Sequence, residues 1–362
     1  MNDVSYELLH KYNVAGPRYT SYPPAPSWRD DFGPADYEKL IAESNAAPSP
    51  SPLSLYLHLP FCEKLCFFCG CTVVITGKNH RTEEGYLDLL LKEIAWLSER
   101  VDRSRPVVQL HYGGGTPTYF DPERLGRLAD ALHSSFTFGP DRLAVYSYAH
   151  VPWMKKHQRV NEPKLPSERE KFEIFRTALA RFTESGYEYI GMDHFARPDD
   201  ELARARRDRS LWRNFQGYTT KAGTDLFGLG MSSIGGIADA YVQNERDLAR
   251  YRAAMEKGGP ATMRGFRLSA DDRMRRIVIQ NLLCHGVIVK NEVEEQFGIS
   301  FDETFADALE KLEECREDGL VEISGREIRA TQLGRIFLRN LAMPFDAYLA
   351  AASAKPMFSR TL

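Results

Sequence analysis

Four of the six cysteines in this 362-residue chain fall within a single short stretch, FCEKLCFFCGC, as Cys62, Cys66, Cys69 and Cys71. Thiols crowded in this way point to a metal site. A disulfide framework would spread its cysteines along a short exported chain. The spacing Cys62-x3-Cys66-x2-Cys69 places three thiolates on one tight loop, and soft thiolates suit an iron–sulfur cluster or zinc. Structural zinc takes two separated pairs or a histidine partner, and no second pair is present. A 4Fe–4S cluster held at three irons is therefore the preferred reading, with zinc as its competitor. A fourth iron with an open position does chemistry rather than scaffolding. Cys284 and Cys315 stand alone in helical patterns and read as small buried hydrophobes.

The elements around the loop follow from periodicity. Leu53–Leu59 (LSLYLHL), ended by Pro60, reads as a buried strand, and the cysteine loop follows it directly. A helix is expected over 83–100, capped by Thr82, with Leu87, Leu90, Leu91, Ile94 and Leu97 in one stripe. Val107–Tyr112 is a second strand, running into Gly113-Gly114-Gly115-Thr116-Pro117. Asp121 and Pro122 open the next helix, with Leu125, Leu128 and Leu132 inward. Leu143–Ala149 is a third strand. Ser167 and Glu170 form a capping box for a helix that stops at Gly186, and Tyr187–Phe195 is a fourth strand. Strands alternating with helices, with chemistry-bearing loops after the strands, imply a parallel α/β sheet. The first 50 residues read as a polar, turn-rich arm stiffened by proline.

From Leu268 onward the pattern becomes helical: helices at 271–284, 291–297, 301–317 and 332–341, with a hairpin over Leu320–Ala330. Three helices and a two-stranded wing resemble a winged helix, for which DNA binding is the reflex interpretation. Charge opposes it. Between Leu268 and Asp346 there are 10 Lys/Arg against 16 Asp/Glu, a net of −6 that would repel phosphates. The whole chain carries 47 basic and 50 acidic residues, a net of −3, so no nucleic-acid partner is expected. No run of 18 apolar residues and no basic-then-apolar leader are present, and a soluble cytoplasmic protein with no membrane partner is expected.

CxxxCxxC after the first strand resembles the signature of the radical S-adenosylmethionine (SAM) enzymes, and Gly113–Pro117 matches that superfamily's glycine-rich segment. Tyr12–Pro24 (YNVAGPRYTSYPP), Leu53–Cys71, His111–Thr118, Gly191–Asp200 (GMDHFARPDD) and Arg213–Thr220 (RNFQGYTT) together resemble the oxygen-independent coproporphyrinogen III oxidase family over nearly the entire chain. The resemblance implies an α/β fold: a partial (β/α) barrel of radical SAM type with a C-terminal helical, winged-helix-like domain. It also implies a division into an arm (1–50), the barrel (51–240) and the C-terminal domain (241–362). In that family a 5′-deoxyadenosyl radical, made by one-electron cleavage of SAM, removes a hydrogen from a substrate propionate. Loss of CO2 and an electron leaves a vinyl group, and two rounds give protoporphyrinogen IX for haem biosynthesis. By the same resemblance Cys62, Cys66 and Cys69 match the cluster ligands. Tyr56, Phe68, Gly114 and Ile234 match contacts to a first SAM, and Gly115, Thr116 and Ala149 match contacts to a second. Cys71 has no ligand role in this matching. Arg18 and Arg213 suit substrate propionates as well as they suit a solvated surface.

The chain departs from the family near 136–143. There the helix ending at Phe136 runs directly into Leu143–Ala149, and about three βα units of roughly 30 residues each are absent. The barrel is therefore expected to be shortened. A second reading follows: a non-catalytic haem- or porphyrin-binding chain, or an inactive truncated paralogue, that keeps the iron–sulfur loop. The expected partners are a porphyrinogen substrate and an electron-donor protein, and the expected state is a monomer.

Overall fold

The structure is a computed structural model and describes residues 5–62, 72–76, 81–115, 120–138, 179–180, 182–191, 194–349 and 361. The chain divides into two compact units: Trp28–Tyr148 with Gly223–Leu268, and Met1–Ser27 with Ala149–Ala222 and Ser269–Leu362. Each unit joins separated segments, unlike the consecutive blocks expected from the sequence. The first 50 residues hold two helices that their polar composition concealed, α1 (Tyr6–Tyr12) and α2 (Pro34–Asn45).

The sheet unit is built on β1 (Leu53–Leu59). Beyond Pro60 come β2 (Phe61–Cys62) and β3 (Val74–Ile75), then α3 (Arg81–Ser98), β4 (Pro106–Gly114), α4 (Pro122–Ser135) and β5 (Thr137–Phe138). The chain re-enters this unit with β10 (Asp225–Leu229), β11 (Ile234–Ile237), β12 (Ala240–Asn244), α6 (Leu248–Glu256) and β13 (Thr262–Arg267). The sheet has seven strands in the order β13-β12-β11-β10-β1-β4-β5. β10, β1, β4 and β5 run parallel, and β11, β12 and β13 extend the sheet antiparallel. The expected domain boundary at 240 thus falls at the start of β12, because the sheet needs β12 and β13 to cover β11.

β1 alternates: its leucines share one face, while Ser54, Tyr56 and His58 take the other. Leu53, Leu55, Leu57, Leu59 and Phe61 are all fully buried, each worth about 1.5–3 kcal/mol of burial. The stripe of α3 behaves as expected, with Leu87, Leu90, Ile94 and Leu97 buried, and Asp121 caps α4 through the Arg124 amide (2.8 Å). The anticipated third strand, Leu143–Ala149, and the Ser167–Glu170 box lie outside the described residues.

The second unit contains two hairpins, β6 (Glu188–Gly191) with β7 (His194–Ala196) and β8 (Trp212–Asn214) with β9 (Gly217–Thr219), separated by α5 (Glu201–Arg207). Tyr187–Phe195 is therefore not one strand: its two halves fold back and pair antiparallel with each other. The C-terminal segment holds α7 (Ala270–His285), β14 (Val287–Val289), α8 (Lys290–Phe297), α9 (Phe301–Thr304), α10 (Ala306–Glu317), β15 (Val321–Ile323), β16 (Glu327–Ala330) and α11 (Leu338–Ala342). The wing has three strands because β14 pairs with β16. The single helix expected over 301–317 breaks at Phe305, where Phe301 and Phe305 both turn into the core. Cys284 and Cys315 are buried, as their isolation in apolar stripes suggested. The expected arm is divided: its part up to Ser27 belongs to this unit, where Tyr12, Tyr19 and Tyr22 pack into the same core as Val278, Phe337 and Phe345, while α2 belongs to the sheet unit.

At the N-terminal ends of the parallel strands, Arg105 is buried and pairs with Asp225, the first residue of β10. It also donates to the Ser51 carbonyl (2.7 Å), Ser44 Oγ (2.8 Å) and Asn45 Oδ1 (3.1 Å). Removing one partner leaves the other charge buried, so Arg105→Met should cost about 3–5 kcal/mol in denaturant titrations. The double variant with Asp225→Leu should recover much of that loss.

Candidate active site

The cysteine loop leaves the C-terminal end of β1 and returns beside it. Two parallel rungs, Phe61 with Val74 and Cys62 with Ile75, close its neck. They are helped by the Val74 amide donating to the Pro60 carbonyl (2.8 Å). Cys62 sits in the second rung, half-buried. Cys66, Phe68, Cys69 and Cys71 lie outside the described residues, as do Thr116 and Ala149. Among the described residues no three His, Cys, Asp or Glu gather as a metal cage.

Tyr56 and His58 alternate on β1 and so face the same side. The Tyr56 hydroxyl lies 3.1 Å from His58 Nδ1, and His58 Nε2 lies 3.0 Å from the Thr72 carbonyl oxygen at the loop's return. A carbonyl only accepts, so the neutral ring carries its proton on Nε2 and accepts from Tyr56 on Nδ1. Ser232 Oγ stands 3.2 Å from the same Nε2. Burial pushes the imidazole down to about 4, against the opposing pull of the Thr72 carbonyl. His58 is therefore an uncharged latch between β1, the loop and the β10–β11 connection.

The glycine segment has a job within the fold. Gly114 pairs in register with Leu59, and the Gly115 amide donates to the Leu59 carbonyl (2.7 Å). Gly114 has φ +107°, and a Cβ there would stand 2.9 Å from the Leu59 oxygen and from His58 Cε1. A Cβ on Gly115 would overlap the Phe61 carbonyl oxygen. Only bare backbone lets β4 seat against the loop's neck. On the other side of β1, Tyr56 is in register with Gly228, and a Cβ on Gly228 would meet the Ile234 backbone at 2.7 Å. The fold thus gathers Tyr56, Cys62, Gly114, Gly115 and Ile234 at one end of the sheet.

Behind them lies a buried carboxylate. Glu93 of α3 accepts from the Gly230 amide, Asn244 Nδ2 and the Tyr251 hydroxyl, each at 2.6 Å. Burial raises its pKa, and the three donors oppose that. The Tyr86 hydroxyl donates to the His58 carbonyl (2.6 Å) and accepts from the Met231 amide (3.1 Å). Together these bonds fix the connection that carries Ser232 and Ile234. Residue-type reading passed over Glu93 and His58. The signals were an acid three residues from Leu90 and four from Leu97 on the apolar stripe, and a histidine two residues after Tyr56 in a buried strand.

A parallel sheet with a cysteine loop and a bare-backbone turn at the C-terminal ends of adjacent strands, followed by a helical domain, is the partial barrel of a radical SAM enzyme. Comparison agrees. A solved structure titled "Coproporphyrinogen III oxidase (HemN) from Escherichia coli is a Radical SAM enzyme" superposes with a TM-score of 0.83 at 34% identity, covering 91% of this chain and 97% of that one. A family described as HemN C-terminal domain matches residues 268–337. Curated relatives named oxygen-independent coproporphyrinogen III oxidase include those of Salmonella typhimurium (36% identity) and Escherichia coli K12 (35%), each with 99% of both chains covered. That of Helicobacter pylori J99 is 33% identical with 100% of both chains covered. The chain belongs to the oxygen-independent coproporphyrinogen III oxidase family. The Salmonella alignment spans 457 positions against 362 residues here, so roughly a hundred positions have no counterpart in this chain, in keeping with the expected shortening.

Two measurements test this geometry. Gly115→Ala should lower the iron retained after anaerobic reconstitution by displacing the neck, whereas Gly126→Ala, at an open position on α4, should raise stability by about 0.5–1 kcal/mol. His58, with its folded pKa below the unfolded 6.5, contributes stability in full above about pH 6.5 and loses it as pH falls toward 4. His58→Gln should therefore flatten the stability profile of the cluster-free protein across that window, by up to about 3 kcal/mol.

Proposed function

We propose that the chain oxidatively decarboxylates propionates of coproporphyrinogen III to vinyl groups, yielding protoporphyrinogen IX for haem biosynthesis. The observation that carries this is end-to-end similarity to the named oxidases in a chain that gathers Tyr56, Cys62, Gly114, Gly115 and Ile234 at one sheet end. The residues present suit the implied cofactors. Three thiols on one loop are soft donors for iron, and the Gly114–Gly115 backbone is open where a side chain would intrude. Cys62, Cys66 and Cys69 would hold a 4Fe–4S cluster. Tyr56, Phe68, Gly114 and Ile234 would contact one SAM, and Gly115, Thr116 and Ala149 a second. When bound, the cluster and SAM supply the radical that takes a hydrogen atom from a propionate, after which CO2 and one electron depart. The reaction suits a cytoplasmic monomer fed by an electron-donor protein.

The chain's own part is to orient and to exclude water. Tyr56, tied to His58, is held against the sheet end rather than left to solvent. Arg213, on β8, is buried, donates to the Arg18 carbonyl through Nε (3.4 Å) and stacks over Tyr218, while its Nη1 is buried without a partner. A guanidinium nitrogen in that state is suited to a propionate. Arg18, in contrast, is exposed. The alternative of an inactive porphyrin-binding paralogue is not favoured by similarity that reaches both ends of relatives named as oxidases.

Anaerobically reconstituted protein should contain iron and sulfide rather than zinc, and should release 5′-deoxyadenosine and vinyl porphyrin. Cys62→Ser should abolish both products. Arg213→Met should weaken substrate binding about 10- to 100-fold while SAM cleavage persists. Iron-free, zinc-loaded protein, or a cluster without either product, would refute the proposal.

A further inference from the structure

The second unit holds an open cleft of about 770 Å³, walled by β6, the region of α5, the α7–β14 junction and the wing. Its lining shares no residue with the site described above. Six arginines and three glutamates line it, and the three acids are already engaged. Glu188 takes Arg206 and Arg207 (both 2.7 Å), Glu292 takes Arg209 (2.6 Å), and Glu327 takes Arg329 (2.8 Å). Among the described residues, Arg326 and Arg335 have no carboxylate partner. Arg335 is half-buried and donates only to the His285 carbonyl (3.1 Å). Burial and the nearby Arg206 and Arg329 charges lower its pKa. A guanidinium sunk among like charges without a counter-ion is a site that an anion would stabilise.

A second observation points the same way. His285, on the cleft wall, is 9% exposed, and its Nδ1 is buried with no hydrogen-bond partner. Burial and the Arg209 and Arg335 charges push it down to about 4, so the ring is neutral and adds a polar atom without adding charge. Val287, Val289, Tyr187 and Tyr189 supply apolar wall. The volume lies in the ~300–1,000 Å³ range of cofactor-sized ligands, far more than an inorganic anion fills. The cationic surplus is local, because the C-terminal segment as a whole is acidic, and this disfavours nucleic acid.

We propose that this cleft is a tetrapyrrole capture site, taking the propionates of a coproporphyrin-type macrocycle on Arg335, Arg326 and their neighbours, with the ring against Val287, Val289 and the tyrosines. The identity of the ligand rests on the function proposed above. Planar guanidinium forks match carboxylates spread around the rim of a macrocycle, so affinity should track the number of carboxylates. A tetracarboxylate substrate would bind tightly, and a dicarboxylate product would leave.

The test uses the full chain and coproporphyrin III, the stable oxidised form of the ring, followed by fluorescence titration. Protoporphyrin IX, coproporphyrin tetramethyl ester and ATP are the comparison probes. Coproporphyrin should bind about tenfold more tightly than protoporphyrin, with an affinity that falls as salt rises. The ester should bind weakly and without salt dependence. Arg335→Gln, which keeps a donor for the His285 carbonyl, and the exposed Arg326→Glu should each weaken coproporphyrin binding about fivefold or more, with unchanged thermal midpoints. Cys62→Ser should leave it unchanged. The proposal is overturned by absent binding, by equal affinity for the ester, by indifference to both arginine variants, or by ATP outcompeting coproporphyrin. Loss of turnover with arginine-dependent porphyrin binding would sink the proposed function and leave this site standing. Turnover with arginine-indifferent binding would do the reverse.

Discussion

A loop that carries Cys66, Cys69 and Cys71 away from β1 and back beside it must leave and return at the same place, and here two rungs of parallel ladder hold that place. Closing a loop of this length costs on the order of 2 kcal/mol or more of chain entropy, which the Phe61–Val74 and Cys62–Ile75 pairings alone barely offset. The His58 bond to the Thr72 carbonyl adds a buried, directional contact across the neck. Inside a low-dielectric core such a bond is strong when made and expensive when missing. Opening the neck would strand the Thr72 carbonyl, which favours the closed arrangement.

The same logic explains the polar atoms in a core that could have been apolar. Glu93, Tyr86, Asn244 and Tyr251 form a satisfied cluster beneath the β10–β11 connection. A leucine at 93 would bury as much area, but it could not hold the Gly230 amide at a set distance from His58. Arg105 and Asp225 do corresponding work at the opposite ends of the strands. The base of the sheet is clamped by an ion pair. The opposite end is held by hydrogen bonds centred on Glu93, Tyr86 and His58.

Much of this arrangement was legible in the sequence. β1 was read with its observed bounds, because a strand covered on both faces and stopped by proline has no other periodicity to mimic. α4 was readable from Asp121 and Pro122, and the burial of Cys284 and Cys315 from their isolation in apolar stripes. The hairpin within Tyr187–Phe195 was hidden because alternation looks the same in one strand as in two that fold back. The break at Phe305 was hidden because helical periodicity continues across a kink. The antiparallel strands β12 and β13 escaped because the expected boundary at 240 cut across them, and sequence pattern does not report hydrogen-bond partners. The cleft around Arg335 could not be read from sequence at all, since its arginines come from two segments more than a hundred residues apart.

The shortening spares the pairing of the described candidate residues. In the large sheet β1 lies between β4 and β10, and β11 between β10 and β12, while β2, which carries Cys62, pairs with β3. β4 keeps β1 along its length, with β5 pairing only at Pro106 and Val107, far from Gly114. The backbone geometry at Tyr56, Cys62, Gly114 and Ile234 is therefore fixed by strands that are present, and removing whole βα units beyond β5 need not disturb it. Whole-unit loss also preserves the inside–outside alternation of what remains, so a chain about a hundred positions shorter than its relatives can still superpose closely. Gly115 is anchored at the same neck by its amide bond to the Leu59 carbonyl, whereas Thr116 and Ala149 lie outside the described residues.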